Sequence, residues 1–136
     1  MFEKAFDLQI ITPAKVVISE EATSLSVPGV QGGFQVLHNH APLMAAIGIG
    51  QIKVKDREGK DSRYATSGGF VEVNRNNVVV LVESAERADE IDVGRARAAK
   101  ERATERLQSH GMDIDLDRAR VSLSRAMNRL RVAQHE

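Results

Sequence analysis

Apolar and polar residues alternate with a period of two from Phe6 to Ser84, between turns rich in Gly, Pro and Asn. This alternation is typical of strands that bury one face. The segments that carry it are Phe6, Leu8 and Ile10, Val16 and Ile18, Leu25 and Val27, Ile52 and Val54, Tyr64 and Thr66, and Phe70 to Val73. Turn residues recur every eight to fourteen positions without a helical stretch between them, which predicts an antiparallel β-sandwich or flattened barrel.

The run from Val78 to Val82 departs from this alternation, because it is apolar throughout. Continuous apolar runs of this length are typical of strands that are covered on both sides. We therefore expect both faces of this strand to be covered.

Residues 85–136 contain no proline and space their apolar positions as a helix does. The expected boundaries are Asp89, Glu90 and Asp92 at the start of a first helix, His110-Gly111 at its end, and Asp113 or Asp115 at the start of a second. The apolar stripes are Ala96, Ala99, Ala103 and Leu107 in the first helix, and Leu116, Ala119, Leu123, Ala126, Leu130 and Ala133 in the second. The predicted fold is therefore α+β, with an N-terminal antiparallel β-sandwich in residues 1–86 and a C-terminal antiparallel two-helix hairpin in residues 87–136.

The seam between the two predicted helices is mostly alanine, which permits close approach but buries little apolar area. Gly94, near the start of the first helix, costs about 1 kcal/mol of helix stability relative to Ala. Isolated helices of this length are marginal in water. The hairpin is therefore expected to need a partner surface or a ligand to fix its arrangement, and to be able to open.

Charge is divided unevenly between the two parts, although the formal net charge is zero. Residues 1–90 carry 12 acidic and 9 basic residues (net −3), whereas residues 91–136 carry 7 acidic and 10 basic residues (net +3), and nine of those ten are Arg. Arg pairs in bidentate fashion with carboxylate or phosphate, so the arm is directed at an acidic partner. Nucleic acid is not favoured as that partner, because the arm contains no aromatic residue on which a base could stack.

Targeting and membrane segments are not expected in this sequence. No run of 18 or more apolar residues occurs, and Met1 to Leu8 lacks the basic and apolar regions of a signal peptide. The chain has no Cys, which excludes disulfides and thiolate metal sites. We therefore expect a protein that does not insert into the membrane.

Two small clusters suggest ligand sites, but each has a simpler interpretation. The loop with Gly29, Gly32 and Gly33 lacks the Gly-Lys-Ser/Thr sequence and the following helix of a phosphate loop, so its glycines are expected to supply positive φ in tight turns. His38 and His40 lie in a turn without a third ligand nearby, so no metal site is expected there. Catalysis is not expected either, because Ser24, Ser67 and Ser84 have no evident base or orienting partner.

The arginines of the second helix leave two interpretations open. Arg125 and Arg129 lie four residues apart on one helical face, where like charges repel unless an anion lies between them. Antiparallel pairing brings both toward Arg95 and Asp92, so three guanidinium groups could clamp a triphosphate. Alternatively these residues form a solvated face, which is the interpretation that the spacing alone favours.

Several segments together resemble the epsilon subunits of F-type ATP synthases. The segments are Val27 to Leu37 (Val-Pro-Gly-Val-Gln-Gly-Gly-Phe-Gln-Val-Leu), His38 to Leu43, Gly48 and Gly50, Ser67 to Val73, and Ala85 to Ala88. Each is weak alone, but they occur in order along the whole chain. The resemblance implies a β-sandwich followed by a helical hairpin, which agrees with the pattern of the residues.

The resemblance also implies a role and partners. It implies a non-catalytic subunit of the central rotor, which joins the gamma subunit to the c-ring and couples proton translocation to ATP synthesis. The arm is then expected to extend toward an acid-rich segment of the catalytic beta subunits and inhibit ATP hydrolysis. The implied location is peripheral, at the cytoplasmic face of the cell membrane.

A regulatory ATP site is implied by two further segments. Ile91 to Ala96 is similar to the Ile-Asp-x-x-Arg-Ala motif of epsilon subunits that bind ATP in the folded hairpin, and Arg125 to Leu130 is similar to their second-helix segment. The positions that the resemblance assigns to ATP are Glu86, Ile91, Asp92, Arg95, Ala96, Arg102, Arg125 and Arg129. It implies that the arginines at 95, 125 and 129 bind phosphates, and that the two acidic residues serve the adenine side or orient an Arg.

ATP is thus expected as a regulatory ligand, with no cofactor required and no metal site. The alternative function is a free-standing module that senses or binds ATP. An enzyme that uses the Arg cluster would need a base and a metal site, and the sequence offers neither.

Overall fold

The computed structural model describes residues 4–109 and 115–134 of the 136-residue chain. The chain divides into two compact units, one that ends at Arg87 and one that begins at Ala88. The first unit is built of strands and the second of helices. The architecture is therefore α+β, as the change of apolar spacing predicts.

Within the described residues the first unit contains nine strands. They are β1 (Phe6–Ile11), β2 (Val16–Val27), β3 (Phe34–Val36), β4 (Leu43–Ile47), β5 (Gly50–Asp56), β6 (Asp61–Thr66), β7 (Gly69–Asn74), β8 (Asn77–Val82) and β9 (Ala85–Arg87). Hydrogen-bonded neighbours follow the order β4-β7-β8-β1-β2-β5-β6-β9, and β3 pairs with β2. The β1–β8 pair is parallel and the other strand pairs are antiparallel.

The strands enclose one apolar core. In β1, for example, Phe6, Leu8 and Ile10 are buried while Asp7 and Gln9 are exposed. The core also includes Ile18, Ala22, Leu25, Val27, Val36, Ile47, Ile52, Val54, Tyr64, Val71, Val73, Val78, Val80 and Val82. Full burial of each such aliphatic side chain contributes about 1.5–3 kcal/mol, so this core accounts for the stability of the unit. The β-sandwich predicted from the alternation is confirmed.

Two details of the strand prediction are wrong. The pattern places Val16 and Leu25 in separate strands, but β2 is continuous from Val16 to Val27. Its pairing with β5 shifts register between Ala22 and Ser24, an irregularity of the kind that lets a long strand bend. The prediction also omits β3, β4 and β9, because β3 and β9 have only three residues each and β4 lacks a period-two alternation.

The expectation that β8 is covered on both faces is also wrong. Its alternate residues Val78, Val80 and Val82 are buried, but Leu81 is 51% exposed and Val79 is only half-buried. The uninterrupted apolar run therefore reflects one face that packs in the core and one apolar face that is open in this chain.

The glycine-rich loop after β2 depends on glycine for a different reason at each position. Gly32 has a positive φ of 130°, as expected, whereas Gly29 and Gly33 are not among the positive-φ residues. At Gly29 a Cβ atom would lie 2.5 Å from the carbonyl oxygen of Gly32 and 3.1 Å from the ring of Phe34. The turn therefore requires glycine there to let the backbone approach closely, rather than to supply a positive φ.

The second unit starts with a short 3₁₀ helix (Ala88–Glu90), followed by α1 (Val93–Ser109) and α2 (Leu116–Gln134). Asp92 caps α1, because its Oδ1 accepts a hydrogen bond of 3.1 Å from the backbone N–H of Arg95. Asp115 caps α2 in the same way, with a 3.1 Å bond from the N–H of Arg118. Asp115 is therefore the start signal of the second helix, while Asp113, His110 and Gly111 lie outside the described residues.

Alanines form the contact between α1 and α2. Ala96 and Ala103 of α1 and Ala119 and Ala126 of α2 are buried. The remaining stripe residues Ala99, Leu107, Leu123, Leu130 and Ala133 are half-buried, and Leu116 is exposed. The helices thus meet along the predicted seam, and that seam consists of small side chains.

Candidate functional site

The start of α1 combines a buried and an exposed side. Ala96 is 0% exposed in the seam, and Ile91 is buried just before the helix. Asp92 and Arg95 are exposed, and the Asp92 carboxylate is hydrogen-bonded to the backbone of Arg95. The Ile91 to Ala96 motif therefore packs through Ile91 and Ala96, and it presents Asp92 and Arg95 at the positive end of the helix.

A groove of about 720 Å³ along one side of the hairpin shows how the helices are aligned. It is lined by α1 residues between Arg97 and Glu105 and by α2 residues between Met127 and Gln134. The beginning of α1 therefore lies beside the end of α2, so the hairpin is antiparallel. None of the residues predicted to bind ATP lines this groove.

The predicted arginines lie on the other side of the hairpin. In α1, Arg95 and Arg102 are seven residues, or about two turns, apart and therefore share a face. Consecutive residues of a helix are rotated by about 100°, so Arg95 and Arg97 lie on opposite sides of the seam residue Ala96. In α2, the same geometry places Arg125 and Arg129 on the opposite side of the seam from Met127. In an antiparallel pair these two faces border the same flank. We call the residues Arg95, Arg102, Arg125 and Arg129 the arginine flank.

The arginine flank combines exposed guanidinium groups with a partly buried one. Arg95, Arg102 and Arg125 are exposed, whereas Arg129 is half-buried and its Nε atom is buried. Arg95 and Arg129 belong to the end of the hairpin where α1 begins and α2 ends. The flank therefore offers several positive charges along one face of the hairpin, and Arg129 is its least exposed member.

The predicted ATP residues do not all belong to one unit. Ile91, Asp92, Ala96 and the arginine flank belong to the helical unit. Glu86 lies in β9 of the first unit, where it is half-buried and pairs with Ala65 of β6. Its role toward ATP stays a prediction.

Asn128 is a residue that the sequence pattern did not mark. It is 3% exposed and lies between Arg125 and Arg129 in sequence. Buried amides are nearly always hydrogen-bonded, so such a residue constrains its surroundings. Asn128 does not belong to the apolar stripe of α2, so the stripe did not identify it. The available signal in the sequence was a single amide between arginines and apolar residues.

A second unmarked feature is an apolar stripe on the outer face of the sandwich. Strand pairing aligns five residues across five strands: Ala46 of β4 with Phe70 of β7, Phe70 with Leu81 of β8, Leu81 with Ile11 of β1, and Ile11 with Val16 of β2. Phe70 is 57% and Val16 53% exposed. We call these five residues the outer stripe.

The outer stripe is the type of surface that another protein covers. Contiguous exposed apolar residues across a sheet are unusual in a monomer and mark an interaction site. Nearby Met44, on the same face of β4 as Ala46, is 67% exposed. The sequence signal for this surface was an apolar residue in the outward phase of the alternation, as Leu81 is in the run from Val78 to Val82.

The described part of the chain contains neither a metal-binding cluster nor a membrane-spanning helix. No group of three or more His, Asp or Glu residues there could hold a metal ion. His38 Nε2 lies 3.4 Å from Asn76 Nδ2, and His40 Nδ1 lies 2.7 Å from the carbonyl oxygen of Ala41. Among residues 4–109 and 115–134, no helix has the length and hydropathy needed to cross a membrane.

Comparison with known proteins gives matches along almost the whole chain. The family model for the ATP synthase delta/epsilon chain β-sandwich domain matches residues 5–88, and the model for its long α-helix domain matches residues 89–134. The chain is 48% identical to the ATP synthase epsilon chain of Desulforamulus reducens, over 93% of this chain and 96% of that relative. It is 42% identical to the epsilon chain of Syntrophomonas wolfei, over 98% of each.

A solved structure matches the fold. A chain in the cryo-EM structure of the Euglena gracilis mitochondrial ATP synthase, OSCP/F1/c-ring, has a TM-score of 0.84 at 23% identity. The alignment covers 99% of this chain and 84% of that one. At this identity the match supports the arrangement of strands and helices.

Proposed function

The chain belongs to the ATP synthase delta/epsilon chain family, and on this premise we propose that it is the epsilon subunit in the central stalk of an F-type ATP synthase. In that role it is a non-catalytic part of the rotor. It helps to couple proton translocation to ATP synthesis and limits ATP hydrolysis through its helical arm. It resides peripherally at the cytoplasmic face of the membrane because its partners hold it there.

The outer stripe is the observation that carries the stalk role. A rotor subunit must be held by its neighbours strongly enough to turn with them. The exposed side chains of Phe70, Leu81 and Val16 form an apolar surface that would be costly to leave in water. We assign this surface to the gamma subunit, and the c-ring is the second partner in the proposed role.

Co-purification tests the stalk role against its alternative. A tagged full-length chain, expressed with the other subunits, should retain gamma and the c-ring through size-exclusion chromatography. A free-standing ATP-binding module would elute alone, and that result would reject the stalk role.

The arginine flank supports a regulatory ATP site. Arg95, Arg125 and Arg129 are expected to bind the phosphates, because guanidinium groups pair with phosphate in bidentate geometry. Arg102, two turns further along α1, extends the same positive face. Ile91 and Ala96 shape the apolar side, and Glu86 and Asp92 are assigned to the adenine side or to orienting an Arg.

ATP binding at this flank would favour the closed hairpin. The flank exists only when α1 and α2 pack together, so extension of the arm separates Arg95 from the arginines of α2. A ligand that binds only one form stabilises it by RT ln(1 + [L]/Kd), or about 1.4 kcal/mol at ten times Kd. That is enough to shift an alanine-packed hairpin roughly tenfold toward the closed form.

Release of the arm would then inhibit ATP hydrolysis. The net charge of +3 in residues 91–136 favours transfer of the extended arm to an acidic surface, which we assign to the acid-rich segment of the catalytic beta subunits. Calorimetric titration of the isolated chain with ATP and with ADP tests the regulatory part. The absence of measurable binding at millimolar ATP would reject it and leave the stalk role intact.

A further inference from the structure

The alanine seam by itself specifies the alignment of α1 and α2 poorly. Ala96 and Ala103 of α1 are seven residues apart, and Ala119, Ala126 and Ala133 of α2 repeat at the same interval. Sliding one helix by seven residues, or about 10 Å at 1.5 Å per residue, would again place alanine against alanine. The packing energy of such small side chains distinguishes the two alignments only weakly.

A more specific contact is needed to fix the alignment of the helices, and Asn128 is the candidate for it. It lies two residues from Ala126, so at about 100° per residue it is on a face of α2 that points away from α1. Val132, one turn later on the same face, is 1% exposed. Both residues are buried although they do not face α1.

The 3₁₀ helix is a neighbour of α2 within the same unit. It comes directly before Ile91 and Asp92, and therefore fixes where α1 begins. Asn128 has an interaction partner in the structure, and a buried amide is nearly always hydrogen-bonded. A hydrogen bond from this amide to a group outside α2 would be made in one alignment, because a slide would separate the two groups.

We propose that Asn128 fixes the alignment of α2 relative to the 3₁₀ helix and thereby sets the distance along the arginine flank between Arg95 and the two arginines of α2. Asn128 is a positioning residue, since the phosphates are left to the arginines. This inference rests on the proposed ATP site. A single buried amide in an otherwise apolar interface sets helix alignment at some cost in stability, as buried polar residues do in coiled coils.

The test uses Asn128→Leu in the full-length chain, because leucine has nearly the shape of asparagine but no amide. Removing the amide leaves its partner unsatisfied, so the melting temperature should fall. Helix content without ATP should be retained, while the apparent Kd for ATP rises about tenfold or more as the competent alignment falls to about a tenth of the population. Gln134→Leu, an exposed position on the other flank of α2, is the control and should leave the ATP affinity unchanged.

A second measurement reports the alignment without ATP. The chain has no cysteine, so spin labels can be attached through Arg97→Cys and Arg131→Cys, which line the groove and not the arginine flank. The wild-type background should give one distance distribution between the labels. Asn128→Leu should add a population shifted by several ångströms, as expected for a slide of up to about 10 Å.

The outcomes separate the two hypotheses. One unchanged distance distribution in Asn128→Leu overturns the inference, and so does an altered distribution with wild-type ATP affinity. If the wild-type chain does not bind ATP and the distribution still broadens in the variant, the ATP site fails while the alignment role stands. If Asn128→Leu loses its helix content, Asn128→Ala is measured in its place, with the same expected results.

Discussion

Phe70 is the residue that best tests whether the outer stripe is a docking surface. It is the second residue of β7, paired with Ala46 on one side and with Leu81 on the other. The next residue, Val71, points into the core and is 0% exposed. Phe70→Ala and Val71→Ala therefore change adjacent positions of one strand on opposite faces of the sheet.

The exposure of Phe70 sets the expected loss of binding. With 57% of a side-chain surface of about 200 Å² exposed, a partner could cover about 115 Å². At about 25 cal/mol per Å² this corresponds to about 2–3 kcal/mol, or a 30- to 150-fold rise in Kd. The remaining, buried part of about 85 Å² predicts a loss of about 2 kcal/mol in the free energy of unfolding.

Val71→Ala should destabilise the sandwich by a comparable amount, because it removes buried apolar area from the core. Its outer face is unchanged, so the Kd should not rise. Binding of each variant to a gamma and c-ring preparation is measured by interferometry at 25 °C, and the free energy of unfolding by urea titration monitored by circular dichroism.

The comparison between the two variants decides the outcome. A rise in Kd for Phe70→Ala alone supports docking through the outer stripe. Equal Kd values for both variants and for the wild type would show that the stripe is not the contact surface. Equal losses in both variants would show that binding follows stability rather than the exposed face.

Three further expectations follow from the arm and the sandwich. Arg125→Ala should weaken ATP binding about tenfold or more with unchanged helix content. The control Arg131→Ala, on the groove side of the same helix, should leave ATP binding unchanged. Calorimetry measures the binding of both variants, and circular dichroism measures their helix content. Deletion of residues 89–136 should raise the rate of ATP hydrolysis by the reconstituted enzyme while assembly stays intact. An unchanged rate would show that the arm does not inhibit hydrolysis. Gly69→Ala should lower the melting temperature by at least about 5 °C, because a Cβ there would lie 2.7 Å from the Cα of Val82, while Gly33→Ala has room and serves as control.

Local patterns were sufficient to predict a strand-built unit followed by two helices. The alternation of Phe6, Leu8 and Ile10 gives β1 because each of these side chains enters the core. The acidic residues Asp92 and Asp115 mark both helix starts because each carboxylate accepts a hydrogen bond from the first turn. These signals are physical properties of neighbouring residues, and they do not depend on the rest of the chain.

The features that escaped prediction depend on contacts between distant segments. Leu81 belongs to an apolar run, and only its pairing with Phe70 and Ile11 reveals that its face is open. Gly29 does not have a positive φ, and only the close approach of the Gly32 carbonyl oxygen explains why a side chain is excluded there. Asn128 lies outside the helical stripe, so its burial follows from the packing of a second face of α2.

The ATP site is intermediate between these cases. Spacing alone left a solvated face and an anion clamp both open, and the resemblance selected the clamp. The structure places Arg95 and Arg102 on one flank of the hairpin with Arg125 and Arg129. That these four residues act together as a clamp stays a prediction. The ligand itself stays a prediction that the titrations test.

The parallel pairing of β1 with β8 has a consequence for how the chain acquires its structure. β1 lies between β2 and β8, and its residue Asp7 pairs with Asn77, 70 positions later in the sequence. During synthesis the first strand must therefore wait until residues 77–82 have left the ribosome before its second edge is covered. Contacts of such long sequence separation slow folding, so the sandwich should close late and in a single cooperative step. The nascent chain would present the edge of β1 during that interval, and this is the stage at which premature association is most probable.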